Sequence, residues 1–279
     1  MTQFFADLVL ARRLERTEGS ANAAFVDAQA RTDPASGAIW KTSGGTFAMF
    51  AGVGSPITQT FGLGMFEPLT AEQLDEIEQF FLTRDVDVFH EVCPLADPST
   101  FVLLNERGYQ PIEFSNVLYR PISADLRLDA AHNERMKARL IGDDEVDIWA
   151  ETASEGWKEF TEVADFMRDL GQVFARSRSI SFLAELDGAP VATGALTISG
   201  DVALLAGAST MPSARRQGAQ LALLEGRLRY AATRGCTVGM IVTQPGSGSQ
   251  RNAERHGFRI AYTRYKWQLQ GKHEQDAGL

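Results

Sequence analysis

The residues whose types and spacing can do chemistry stand together as Arg215-Arg216-Gln217-Gly218-Ala219-Gln220. Two arginines and a glycine open what reads as a helix. A helix N-terminus presents unpaired backbone N–H groups and a partial positive charge, so the segment can seat a phosphate or pyrophosphate. The same residues also read as an ordinary strand-to-helix turn with solvated arginines. Taken alone, the stretch leaves both readings open. The other candidates for chemistry are scattered. His90, His132, His256 and His273 show no ligand spacing, and Cys93 and Cys236 lie far apart, so no metal site is expected.

The elements that must position this loop are legible around it. Val202–Leu205 is apolar and strand-like, and Ala206–Thr210 holds only small residues that let a ligand approach the backbone. Pro212 lacks the N–H a sheet ladder needs and ends the strand. Downstream, Leu221, Leu224, Leu228 and Ala231 or Ala232 recur at helical steps, which predicts one apolar face over Gly218–Arg234.

The bulk properties bound the rest. The chain has 279 residues, a net charge of -9 and a hydrophobic fraction of 44%, which suits a globular protein of two ordinary domains. The acidic balance argues against non-specific nucleic-acid binding. The N-terminal run MTQFFADLVLARRLERTEG is interrupted by Asp7, Arg12 and Arg13, and reads as an amphipathic helix rather than a signal peptide. No run approaches the ~18 apolar residues of a membrane span. A cytoplasmic protein is expected, its cysteines thiols rather than a disulfide frame.

In order, the first helix is followed by a second helical piece over Ser20–Arg31, then by short strands at Ala38–Lys41, Thr46–Val53 and Thr58–Leu63. Thr70 reads as the N-cap of a helix to about Arg84. A strand Val86–Val92, a short helix from Ser99 to Arg107 stopped by Gly108, and strand Gln110–Arg120 close the first half. The second half is expected to carry helices over Glu145–Trp157 and Val163–Phe174. Strands Ser181–Leu186 and Val191–Ile198, the strand into Thr210 and its helix follow. Strand Thr237–Val242, helix Ser249–His256 and a last strand Phe258–Leu269 complete it. Leu104-Asn105-Glu106-Arg107-Gly108-Tyr109 and Ala253-Glu254-Arg255-His256-Gly257-Phe258 close the two halves alike, after the same element order. That agreement points to a tandem duplication of one α/β unit. The expected organisation is 1–122, a connection 123–135, a second domain 136–270 and a frayed tail 271–279.

The second half resembles a GNAT-type N-acetyltransferase. The likeness rests on Thr210-Met211-Pro212 followed by Arg215–Gln220, and on the Gly257-Phe258 pair ending the short helix Arg251–His256. Gln220 stands where the family usually has Gly or Ala. The resemblance implies an α/β fold of the mixed-sheet (α+β) kind: two tandem GNAT-like domains, each a mixed, mostly antiparallel sheet flanked by helices. The first half reads Gly64-Met65-Phe66-Glu67-Pro68-Leu69-Thr70 at the corresponding place, without the loop, and is expected to be degenerate. The resemblance further implies acetyl-CoA as co-substrate and acetyl transfer to a primary amine of a small molecule or peptide by direct attack. Arg215, Arg216, Gln217, Gly218, Ala219 and Gln220 would hold the pyrophosphate. Ser209, Thr210 and Met211 would meet the pantetheine arm and supply an oxyanion contact. Asn252 can bond the cofactor or cap its helix.

The family's usual acid, a tyrosine, corresponds to Ala253 here. Tyr262 is the substitute candidate acid, with Tyr265 as another, by proximity only; packing or surface roles are the stronger reading of both. Glu185 reads as a base reached through water or as a paired strand carboxylate, and Trp149 and Trp157 as core or as a substrate clamp. Glu155, Glu159, Glu162 and Asp165 make the predicted helices acidic, which reads as a solvated helix face or as a surface that would attract a cationic acceptor. A non-catalytic acyl-CoA-binding or sensing module, and a purely structural protein, are the alternative readings.

Overall fold

A computed structural model describes residues 5–123, 133–159, 169, 171–174, 176–177 and 179–269. The expected helix Val163–Phe174 falls mostly outside the described residues, together with Glu162, Asp165, His132, His273, most of the connection and the tail. Among the described residues the fold is α+β, with eleven strands in parallel and antiparallel pairings flanked by helices. Contacts divide the chain into two compact units. Unit 1 comprises Met1–Leu118, Val242–Arg251 and Ile260–Leu279; unit 2 comprises Tyr119–Ile241 and Asn252–Arg259.

Unit 1 begins with one long helix, α1 (Leu8–Thr32), capped by Asp7. The expected break near Gly19 is absent. That glycine serves packing instead: a Cβ there would lie 2.5 Å from the Phe47 ring, so its lack of a side chain lets helix and sheet touch. The strands are β1 (Ile39–Ser43), β2 (Thr46–Phe50), β3 (Gln59–Phe61), β4 (Phe89–Val92) and β5 (Tyr109–Pro121). Helices α2 (Ala71–Leu82) and α3 (Pro98–Glu106) join them. Thr70 caps α2 with a reciprocal box: its hydroxyl oxygen accepts from the Gln73 backbone N–H, and the Gln73 side-chain oxygen accepts from the Thr70 backbone N–H. Gly108, at φ +79°, terminates the α3 segment. The strand order is β1-β2-β3-β4-β11-β5, where β11 (Arg259–Leu269) comes from the other end of the sequence and pairs antiparallel with β4.

That strand carries a charged core cluster. Arg264, 1% exposed, forks onto Glu18 of α1 at 2.6 and 3.1 Å and lies 3.5 Å from both Glu15 and Glu91. Tyr262 donates its hydroxyl proton to Glu15 at 2.8 Å. Burial pushes the Glu15 carboxyl up to about 7; Glu18 and Glu91 push the same way, against the pull of Arg264 and the Tyr262 hydroxyl. A carboxyl raised in the fold favours its protonated form there. Stability from this group is therefore full below about pH 4.5 and declines as pH rises toward 7. Glu15→Gln, which keeps an acceptor for Tyr262, is expected to flatten that decline in denaturation curves between pH 4.5 and 7; an unchanged slope would assign it to another group.

Unit 2 carries β6 (Met136–Leu140), α4 (Val146–Glu155), β7 (Ile180–Leu186), β8 (Ala189–Ser199), β9 (Val202–Thr210), α5 (Ala219–Thr233) and β10 (Val238–Thr243). A further short helix, α6 (Gly248–Arg255), precedes β11. The strand order is β10-β9-β8-β7-β6. Strands β6 to β9 are antiparallel neighbours, and β10 runs parallel to β9. α5 buries Ala219, Leu223, Leu224, Arg227, Leu228 and Ala231, so its inner face is rotated from the expected one, with Leu221 only half-buried. Among the described residues no helix is long and apolar enough to cross a membrane.

Candidate functional site

Strand β9 is paired on its two sides to different extents. With β10 it pairs only through Val202, Ala203 and Leu204. With β8 it pairs to its end, apart from a register shift between Thr193 and Ala195. Gly207, at φ +59°, sits opposite that shift, a conformation glycine adopts without steric cost. From Leu205 onward β9 has left the β10 ladder, which opens a wedge along its second half.

Arg227 holds the irregular stretch from beneath. This α5 residue is 3% exposed and donates from Nη1 to the carbonyls of Ala195 and Ala206, each at 3.1 Å, and from Nε to Leu223 at 3.1 Å. Gly194 leaves room for it, since a Cβ there would stand 3.0 Å from the guanidinium carbon. Burial lowers its pKa to about 10, which still leaves it charged at neutral pH. A fixed cation thus lies under the strand segment that flanks the wedge. Sequence reasoning missed Arg227, because an arginine on a helix normally reads as solvated.

Beyond β9 the chain makes a 3-10 turn at Pro212–Ala214 and enters α5 through two left-handed residues, Arg216 (φ +64°) and Gly218 (φ +93°). Gly218 is the N-cap and offers no side-chain acceptor, so no side chain caps the first N–H groups of α5. Left-handed residues in such a loop turn successive N–H groups toward one concavity, an arrangement that binds anions. The loop is braced from both ends: Asn133 donates to the Gln217 carbonyl at 3.0 Å, and the Gln217 amide donates to Ser213 O at 3.0 Å.

Ser209, Thr210, Arg215 and Gln220 meet in one cleft of about 330 Å³, with Ala208, Gly156 and Trp157 completing its wall. The Gln220 amide donates to the Ser209 carbonyl at 3.2 Å and the Thr210 hydroxyl at 2.7 Å. Ser209 Oγ donates to the Ala153 carbonyl at 2.9 Å. Gly156 permits this closeness, because a Cβ there would be 1.8 Å from Ser209 Oγ. Arg215 bridges to Glu159 at 2.5 Å and to the Gly156 carbonyl at 3.2 Å, tying the loop to the chain beyond α4. A second cavity of about 260 Å³ shares Trp157, Ala208 and Ser209 with the first and adds Trp149, Phe174 and Gly207.

The remaining predicted residues lie elsewhere or act indirectly. The Met211 N–H extends the β8 ladder to the Val191 carbonyl at 2.9 Å. Ala219 is buried and Arg216 exposed. Asn252 is half-buried on α6 and does not line either cavity. Tyr262 is in unit 1, buried and bonded to Glu15. Tyr265 packs edge-on against Phe114. Ala253 is 1% exposed core. Glu185 is ion-paired with Arg139 at 2.7 Å, as a paired strand carboxylate. Among the described residues that line the two cavities, Arg215 is the one titratable side chain.

Residues 144–258 match the profile of the Acetyltransferase (GNAT) family. No curated protein matches the chain. Among solved structures, a GCN5-related N-acetyltransferase from Kribbella flavida is similar over 91% of this chain and 98% of its own, with a TM-score of 0.60 and 19% identity. A tandem GNAT protein from the clavulanic acid biosynthesis pathway is similar over 82% of each chain, with a TM-score of 0.55 and 13% identity. A GCN5-related N-acetyltransferase from Sphaerobacter thermophilus matches 76% of this chain and 72% of its own, at a TM-score of 0.52 and 17% identity. At these identities the structural likeness establishes the fold alone.

Proposed function

Through residues 144–258 this chain belongs to the GNAT acetyltransferase family, and from that premise we propose that it transfers an acetyl group from acetyl-CoA to a primary amine. The observation that carries the reading is the wedge between β9 and β10, which leads to an α5 N-terminus without a side-chain cap. The donor set fits coenzyme A. Backbone N–H groups from Arg216 to Gln220, with the charges of Arg215 and Arg216, suit the pyrophosphate. Gly218 leaves space, its nearest neighbour for an added Cβ being Asn133 at 3.7 Å. Ser209, Thr210 and Met211 would accompany the pantetheine arm, and Asn252 would approach it from α6. When bound, acetyl-CoA supplies the activated carbonyl.

The chain's own contribution is then positional and electrostatic. Holding the amine against the carbonyl removes the entropy of encounter. A β9 N–H, with Arg227 beneath the strand, favours the oxygen that gains negative charge. The amine nitrogen forms the new C–N bond, the C–S bond breaks, and the thiolate leaves. With Arg215 the one titratable cavity residue among those described, the amine proton passes to water and the thiolate takes its proton from water.

The same shortage of acid and base favours a second reading, a non-catalytic acyl-CoA sensor. The tandem neighbour supports a reading of two GNAT-like halves, in which we take a degenerate N-terminal domain over 1–122, the connection over 123–135 and the acetyltransferase domain over 136–270. A cytoplasmic setting suits Cys93 and Cys236, both free and buried. Acetyl-CoA at about 100 times its Kd should add about 2.7 kcal/mol of stability, read as a rise in Tm, and a panel of amines should release free thiol. Stabilisation without thiol release on any amine would favour the sensor. No stabilisation would remove both readings.

A further inference from the structure

The cavity beyond Ala208 is walled by rings. Trp149 and Phe174 are parallel, with 8° between their planes and 6.0 Å between centroids. The Trp149 indole N–H is committed to the Phe182 carbonyl at 3.0 Å, so that side chain has only ring surface left to offer. Gly207 keeps the space open: a Cβ there would stand 3.4 Å from Trp149 and 3.5 Å from Phe174. The one hydroxyl among the described lining residues, Ser209 Oγ, is committed to Ala153. None of those lining residues is charged. A polyhydroxy body placed here would lose its hydration, and the described lining side chains offer it no free hydroxyl and no charge in exchange. A flat apolar body loses nothing polar and gains ring contacts. The volume of about 260 Å³ suits a one- or two-ring group.

The cavity adjoins the cleft along Ala208 and Ser209, so a group lodged in it lies beside the second half of β9. We propose that the acceptor is an arylalkylamine, its aromatic ring held by Trp149, Trp157 and Phe174 and its amine directed toward β9. The proposal rests on the acetyltransferase reading. The same apolar chemistry can be carried by a bulkier acyl group on the coenzyme. The amine is favoured because Trp157, on the cavity wall, is 37% exposed, which gives a solvent entrance that a coenzyme-borne group does not need.

The test is steady-state thiol release by the full chain, with acetyl-CoA and either tryptamine, 2-phenylethylamine, spermidine, kanamycin or lysine. The aryl amines are expected to exceed the others in kcat/KM by about 100-fold. Phe174→Ala, on the wall of the second cavity and not of the cleft, is expected to raise KM for tryptamine about 10-fold while acetyl-CoA affinity by calorimetry stays within about 2-fold. Turnover that prefers spermidine, kanamycin or lysine would overturn the proposal. So would phenylacetyl-CoA outperforming acetyl-CoA, with Phe174→Ala weakening the coenzyme instead of the amine. If acetyl-CoA binds and no aryl amine reacts, the arylalkylamine assignment falls while the coenzyme site stands. If acetyl-CoA does not bind, the underlying reading falls first.

Discussion

Arg264→Met is expected to destabilise the protein by about 3–5 kcal/mol, lowering Tm by on the order of 10 °C. Arg264 is the cation shared by Glu15, Glu18 and Glu91, drawn from α1 and β4, and it is 1% exposed. Methionine fills similar volume but leaves those carboxylates in a low-dielectric interior without their shared cation, Lys266 acting, of the three, only on Glu91. Their protonation becomes the easiest relief, so the loss should be larger at pH 8 than at pH 5. Adding Glu15→Gln and Glu18→Gln to the variant should recover part of the loss, because the unpaired charge, not the missing contact, carries most of the penalty. Urea denaturation of the unmodified protein, Arg264→Met and the triple variant checks this. A triple variant no more stable than Arg264→Met would show that packing dominates.

Gly218→Asp should lower acetyl-CoA affinity about 100-fold or more with little change in Tm. The residue is the N-cap of α5 at φ +93°, so any side chain there costs about 1 kcal/mol in backbone strain. An aspartate offsets that cost by accepting the uncapped N–H groups and by favourable interaction with the helix dipole. Those are the donors assigned to the pyrophosphate, which would then meet occupied N–H groups and a like charge. Losing two charge-assisted hydrogen bonds, at about 1.5–3 kcal/mol each, gives the expected factor. Gly218→Ala carries the strain without the charge and should cost much less affinity. Calorimetric titration with acetyl-CoA reads both, and unaltered affinity in the aspartate variant would move the coenzyme elsewhere.

Local grammar was legible in the sequence where one short segment determines the outcome. Thr70 and Gln73 build their capping box within four residues, and Pro212 ends its strand by lacking an N–H. The loop Arg215–Gln220 was legible for the same reason, as was the convergence of Ser209, Thr210, Arg215 and Gln220 on one cleft. Reading failed where the deciding partner is distant. Gly19 suggests a break until Phe47 is seen against it. Arg227 suggests a solvated face until the Ala195 and Ala206 carbonyls claim it. Tyr262 looks available for chemistry until α1, on the opposite end of the chain, supplies Glu15. Trp149 reads as core or clamp; its burial fits core, and its ring also walls a cavity.

The position of β11 between β4 and β5 also sets the order in which the protein can be made. As the chain leaves the ribosome, β4 and β5 emerge early and the strand that fits between them emerges after all of unit 2. Until then both strands present open edges, the kind of surface that recruits other chains. Unit 2 has its strands β6 to β10 in an unbroken run and can close its ladder first. Synthesis from N to C terminus therefore finishes the earlier half of the sequence last, with Arg264 and its carboxylates as the final lock.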